Sequence, residues 1–314
     1  MFQDVRSFYQ AYIIMAILKE YMSYLFTYFI HLYFLFAYLA HSLLLFNKVG
    51  CLGMEHFDNI NAFTLIKTLP ESPIKKVYAV YKSCFLLTEN GELWVAGDNN
   101  LGQLGLANES VKKVNTFTLV ETLPTDPIKE IVLLKESTFI LTENHQIWSC
   151  GNNKSGQLAQ GNNTNNPTFT QVELPDAVGH IQQLAGKGSG SIYLLSQNGT
   201  VWSCGRNSEG QLGLGDFEPR NVFTQITIFP VELFTIKKIV SAETCLYIWL
   251  QDDSIYACGE NKGNLGIGNE INQHTLIHIP FPHSYVPFLS PIPTIEDICA
   301  TGLNLYVPAQ TKNL

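Results

Sequence analysis

The sequence predicts an all-β fold made of repeated four-stranded antiparallel sheets. Two observations carry that prediction. Trp94, Trp148, Trp202 and Tyr256 follow one another at steps of 54 residues, and Gly97, Gly151, Gly205 and Gly259 keep the same step. A long fixed period rich in strand patterns and Gly turns marks a repeat architecture, in which each unit buries its apolar surface against its neighbours. The second observation lies inside one period, where four short apolar runs are separated by turn residues.

The runs follow in order. The first is FTLIKTLP from Phe63, FTLVETLP from Phe117, FTQVELP from Phe169 and FTQITIFP from Phe223. Thr, Val, Ile and Phe suit a half-buried strand, and the closing Pro cannot continue a ladder. The second run is IKKVYAV, IKEIVLL, IQQLAG or IKKIVSA; the third is CFLLTEN, TFILTEN, IYLLSQN or LYIWLQD. Asn90-Gly91 and Asn198-Gly199 then close a hairpin, because both central residues of that tight turn take positive φ. His145 occupies the same turn position as Gly91 and Gly199. The fourth run, ELWVAG and its equivalents, carries the aromatic residue and ends in Gly.

A Gly-punctuated segment follows the fourth run. In its first copy Gly97, Asn99, Gly102, Gln103 and Gly105 set the pattern. Gly151, Asn153, Gly156 and Gln157 repeat it, as do Gly205, Asn207, Gly210 and Gln211. The fourth copy, Gly259 and Asn261, is one residue shorter, with Gly263 and Asn264 where Gly and Gln stand elsewhere. This is read as a structural turn whose Asn and Gln side chains satisfy backbone groups. A phosphate-cradling loop would need the Lys-Ser/Thr pair that is missing here.

The GxNxxGQLGxG turn after an aromatic-bearing strand resembles the regulator-of-chromosome-condensation repeat family over roughly residues 60 to 310. The resemblance implies a β-propeller of four-stranded blades. Here it would have four full repeats and a partial fifth made of LIHIP ending at Pro280, IEDICA and LNLYVP. Such a propeller is short, open or closed by another chain, and open edges invite self-association. Members of the family dock proteins, and some act as guanine nucleotide exchange factors on a Ran-type small GTPase. The family's His between the second and third strands is replaced by Ser83, Ser137, Ser191 and Cys245, with Asn304 in the fifth unit. An inserted wedge, if present, is the Pro- and aromatic-rich stretch 281–293.

The chain has 314 residues and a formal charge of −8. Setting aside Arg6, Lys19, Lys48, Asp4 and Glu20 leaves 16 basic and 25 acidic residues after position 53. An acidic repeat domain without a basic cluster excludes nucleic acid as the expected partner. Residues 1–53 form a separate N-terminal segment, and the repeats are taken to span 54–314 and to fold without it. Tyr21 to Phe46 is 26 residues without a charge, ten of them Phe or Tyr, and is long enough to cross a bilayer as a helix. It reads either as a membrane anchor or as a mis-assigned start, the natural product then beginning at Met54. Seven Cys, with Cys150, Cys204 and Cys258 at one repeat position, read as small core residues of a protein in a reducing compartment, cytoplasmic-facing. Three Asn-X-Ser/Thr matches, at Asn108, Asn162 and Asn198, would matter only in a lumenal protein.

No nucleophile, acid–base pair, cofactor loop or metal pattern is placed by the sequence; His274, His278 and His283 near Glu296 and Asp297 are irregularly spaced. The candidate surface is instead the loop after the second run, where the repeat breaks its own pattern. Tyr81, Lys135, Ser189 and Glu243 share one position there, and Lys82 and Glu136 the next; Lys187 lies in a Gly/Ser-rich version of the same loop. Lys82, Lys135, Glu136, Lys187 and Glu243 are the expected protein-binding residues. The expected function is a protein-docking module without covalent catalysis; the alternative is a regulator of a Ran-type GTPase.

Overall fold

The computed structural model describes residues 47–59, 66–108, 110–188, 190–227, 236–280, 294–301, 304–307 and 309–310. The segment 21–46 and the stretch 281–293 lie outside them. Four sheets form, each of four strands in chain order. The first holds β1 (Ile74–Val80), β2 (Ser83–Thr88), β3 (Leu93–Asp98) and β4 (Lys113–Leu119). The second holds β5 (Ile128–Leu133), β6 (Ser137–Thr142), β7 (Ile147–Gly151) and β8 (Asn166–Gln171). The third holds β9 (Ile181–Lys187), β10 (Ser191–Ser196), β11 (Val201–Gly205) and β12 (Arg220–Gln225). The fourth holds β13 (Ile236–Ser241), β14 (Cys245–Leu250), β15 (Ile255–Gly259) and β16 (Gln273–Ile279).

Register shows how closely the copies agree. The central hairpins pair Leu86 with Trp94, Ile140 with Trp148, Leu194 with Trp202 and Ile248 with Tyr256. The same hairpins pair Ser83, Ser137, Ser191 and Cys245 with the strand-ending glycines. Every residue of β2, β6, β10 and β14 is buried, which is why the third run of each period is almost wholly apolar.

The sequence period and the sheet are offset by one strand. The run that opens each period, such as the one at Phe117, is the outermost strand of the preceding sheet, since β4, β8, β12 and β16 pair with β3, β7, β11 and β15. LIHIP is accordingly part of β16 and not the start of a fifth unit. A period fixes the step but not the cut; the long Gly-punctuated turn decides the cut by folding the next run back onto the strand it has just left.

The chain divides into two compact units. The smaller comprises the residues up to Ala79, Ser83–Gly97 and Val114–Leu119, and the larger Val80–Lys82, Asp98–Lys113 and Val120–Leu314. In the larger, the first strands β5, β9 and β13 lie beside one another. One cluster joins β5–β7 to Trp202, Cys204 and Phe223 of the next sheet; a second joins Tyr193, Leu195 and Leu212 to Tyr256 and Cys258. The second and third sheets thus each pack against the aromatic residue of the following one. At the far end β17 (Thr294–Ile295) pairs with β20 (Ala309–Gln310), and β18 (Cys299–Thr301) with β19 (Asn304–Tyr306). Ile295, Ile298 and Ala300 pack on Tyr247, Trp249 and Ala257.

In the smaller unit Val49, Cys51 and Leu52 are buried with Ile66, Cys84, Leu86, Ala96 and Phe117. Val49, Cys51 and Leu52, just ahead of the expected boundary at 53/54, thus pack with the first sheet. Among the described residues no helix is long and apolar enough to cross a membrane.

Candidate protein interface

The Gly-punctuated turns are held from within. Asn207 accepts from the Leu212 N–H at 2.9 Å and donates through Nδ2 to the Asp216 carbonyl at 2.9 Å. Asn99 does the same with Leu104 and Val111, and Asn153 with Leu158 and Asn162. Asn261 reaches Leu265 and Asn269. Gln103, Gln157 and Gln211 accept from the N–H two residues back at 3.0, 2.9 and 3.0 Å. In the shorter copy Asn264 takes over that task, accepting from Lys262. All these Asn and Gln side chains except Asn264 are buried. The strand-ending glycine is required twice over: Gly205 has φ +103°, and a Cβ there would collide with the Gly190 carbonyl.

A fifth copy begins at Asn47. Its Oδ1 accepts from Leu52 at 3.1 Å and its Nδ2 donates to His56 at 2.9 Å. Gly50 and Gly53 take φ +82° and +63°, beside +82° and +70° at Gly102 and Gly105. The signal was in the sequence: Asn47-x-x-Gly50-x-Leu52-Gly53 keeps the turn's Asn, Leu and last two glycines, with Cys51 in place of Gln and Leu45 in place of the strand-ending Gly.

The residues standing where the family carries His do local work. Ser137 and Ser191 donate to the Asn152 and Arg206 carbonyls at 2.8 Å each, and the Cys245 thiol points at the Glu260 carbonyl at 3.2 Å. Cys150, Cys204 and Cys258 are buried and reach carbonyls in the turn of the preceding sheet. Burial holds all three thiols far above the usual range, so none is a nucleophile at neutral pH. No group of three or more His, Cys, Asp or Glu side chains comes together among the described residues. His274 lies edge-on to Phe217, His278 to Tyr256, and Asp297 pairs with Lys238, so the sequence cluster is dispersed.

The variable loops do converge. Residues 81–82, 134–136, 188 and 242–244 follow the first strands β1, β5, β9 and β13. The Lys135 N–H donates to the Gly188 carbonyl at 3.1 Å, and its ammonium pairs with the Glu243 carboxylate. A Cβ on Gly188 would lie 2.7 Å from the Glu243 Cα, so the third loop is bare where the fourth one crosses it. Lys82 and Lys135 stand 5.0 and 5.9 Å from the centre of the Tyr81 ring. Tyr81 is 61% exposed and has φ +47°. A bulky side chain in left-handed backbone costs of order 1–3 kcal/mol. Exposed cation–π and ion-pair contacts return about 1 kcal/mol each at best. Folding alone gives little reason to place an aromatic there.

Of the five residues expected from the sequence, Lys82 and Lys135 flank Tyr81, and Glu243 pairs with Lys135. Glu136 instead accepts from Asn152 at 2.8 Å, and Lys187 donates to the Ala300 carbonyl at 2.6 Å. Tyr81 is the residue that the expected set lacks. Its signal was an aromatic at a position held elsewhere by Lys, Ser and Glu.

Models of the regulator of chromosome condensation (RCC1) repeat match residues 198–244 and 74–103. The chain carries regulator-of-chromosome-condensation repeats. The X-linked retinitis pigmentosa GTPase regulator of Canis lupus familiaris is 32% identical over 143 residues, 46% of this chain and 14% of that protein. The secretion-regulating guanine nucleotide exchange factor of Bos taurus is 30% identical over 173 residues, 52% of this chain and 35% of that protein. The chain thus spans well under half the length of either relative. The crystal structure of human WBSCR16 superposes with TM-score 0.68 at 18% identity, covering 85% of this chain and 66% of that one. The fold class is the β-propeller of four-stranded blades that the repeats imply.

Proposed function

We propose that the chain is a protein-docking module of a small-GTPase pathway, and that Tyr81, flanked by Lys82 and Lys135, anchors the partner. The exposed Tyr81 ring in strained backbone, where four loops meet, carries this reading. Aromatic residues lose little side-chain entropy on docking and dominate interface hot spots, while flanking charges tune association. The partner class comes from the relatives, one named a GTPase regulator and another a guanine nucleotide exchange factor. Membrane tethering through 21–46 and a cytoplasmic-facing location belong to the same reading and rest on the sequence alone.

The test is surface-plasmon binding of purified Ran-type and related small GTPases to the full chain, with fluorescent-nucleotide release followed in parallel. Tyr81→Ala is expected to weaken binding at least about tenfold (~1.4 kcal/mol). Lys82→Glu is expected to slow association mainly at low salt. Binding untouched by both changes would remove this face from the proposal. Accelerated nucleotide release that also depends on Tyr81 would assign exchange activity; binding without release would assign docking alone.

A further inference from the structure

We propose that His145 and His180 form a two-histidine clamp for a divalent transition-metal ion, zinc in the first instance, at the junction of the second and third sheets. The inference is independent of the docking face. His145 sits in the β6–β7 hairpin turn and His180 just ahead of β9, with ring centres 4.6 Å apart at an interplanar angle of 67°. Two imidazoles on one tetrahedral ion hold their centres about 5 Å apart. His180 is exposed, which leaves its ring room to turn toward an ion shared with His145.

Three further observations point to a ligand. The Nδ1 of His145 lies 3.1 Å from the Ile181 carbonyl, a contact that places its proton on Nδ1 and leaves the Nε2 lone pair for a metal. A second-shell carbonyl of this kind is the usual way a metal-bound His is oriented. Both backbones are fixed: the His145 N–H donates to Thr142 at 3.0 Å, and the His180 carbonyl accepts from Gln197 at 2.8 Å. Finally, His145 holds φ +62° at a position where Gly91 and Gly199 take +85° and +83°. The fourth sheet also places a side chain there, Asp253 at φ +66°, and uses it to hold Trp249 and Lys237. A side chain at this costly position is thus employed, and the neighbour of His145 is a second imidazole. Imidazole pairs suit Zn²⁺, Cu²⁺ and Ni²⁺, with water completing the shell. Such a clamp would add a cross-link between two sheets that share no strand pairing.

The experiment is calorimetric titration of zinc chloride into the intact chain, paired with thermal unfolding. The wild-type chain is expected to take up one saturable equivalent with a Kd of roughly 1–10 µM and to unfold at a higher temperature with zinc. His145→Gly restores the residue two sister turns use, so it folds; it is expected to bind zinc at least about tenfold more weakly and to lose the thermal shift. His180→Gln, at an exposed site, is expected to do the same. Absence of saturable binding in the wild type, or equal affinity in all three chains, overturns the clamp.

Discussion

At the scale of single residues, the repeated Asn is the chain's main internal fastener. Its amide ties the start of each Gly-punctuated turn to both its middle and its end, and its burial leaves no water to substitute. Asn207→Ala is expected to cost about 2–4 kcal/mol, because it orphans the Leu212 N–H and the Asp216 carbonyl together. Urea unfolding measures this, and an unchanged midpoint would show that the turn holds without its amide. The thiols give a second expectation. Six of the seven Cys are buried, and burial pushes Cys51 and Cys245 up to about 11 and the others assigned a shift higher still. A thiol-specific chromogenic reagent at neutral pH should titrate Cys299 alone in the native protein and seven thiols after unfolding. These roles were legible in the sequence because they recur in register. Tyr81 and the His145–His180 contact were not, since each occurs once and a period says nothing about the residue that departs from it.

At the scale of elements, the sequence showed four strands per period and the hairpin at its centre, because alternation, Asn-Gly turns and the aromatic position all agree on them. It did not show that the opening run belongs to the sheet before. Strand pairing is a tertiary choice, and the runs alone are compatible with either neighbour. The same limit hid the turn at Asn47, which stands next to a long apolar stretch and has lost its Gln. A chain begun at Met54 would lack Val49, Cys51 and Leu52 and leave Phe117 and Cys84 facing a void. This packing sets an expectation opposite to unaided folding of residues 54–314. Removing residues 1–53 should collapse amide-exchange protection in β1–β4 while β9–β16 keep theirs. Equal protection in the two chains would show that the turn at Asn47 adds nothing to its sheet.

At the scale of the whole molecule, charge sets the response to acid. Lys238 beside Asp297, Lys262 beside Glu260 and Ser254 beside Asp252 hold these carboxyls below their ordinary values. A depressed carboxyl stabilises the fold above the ordinary carboxylate range, and that contribution is lost as pH falls through the depressed value. Asp252 and Asp297 are exposed, so their contributions are small, whereas the Glu260 side chain is mostly covered. Asp297 matters most for order, since with Ile298 it ties β13 to the segment around β17–β20 through Lys238. Lowering pH from 7 to about 3 should expose that segment to an acid-active protease before the sheets of the larger unit. Cleavage appearing first between β5 and β12 would contradict this order. The one-strand offset between period and sheet also bears on how such a chain changes in length. Each sheet is stitched from two sequence copies, so excising one full step, for example 149–202, joins Trp148 to Ser203 and leaves every surviving strand beside a neighbour of its own kind. No seam between modules has to be found or respected. Recombination can add or subtract copies at any phase of the repeat, and the number of sheets is a tally that heredity is free to vary while each sheet stays intact.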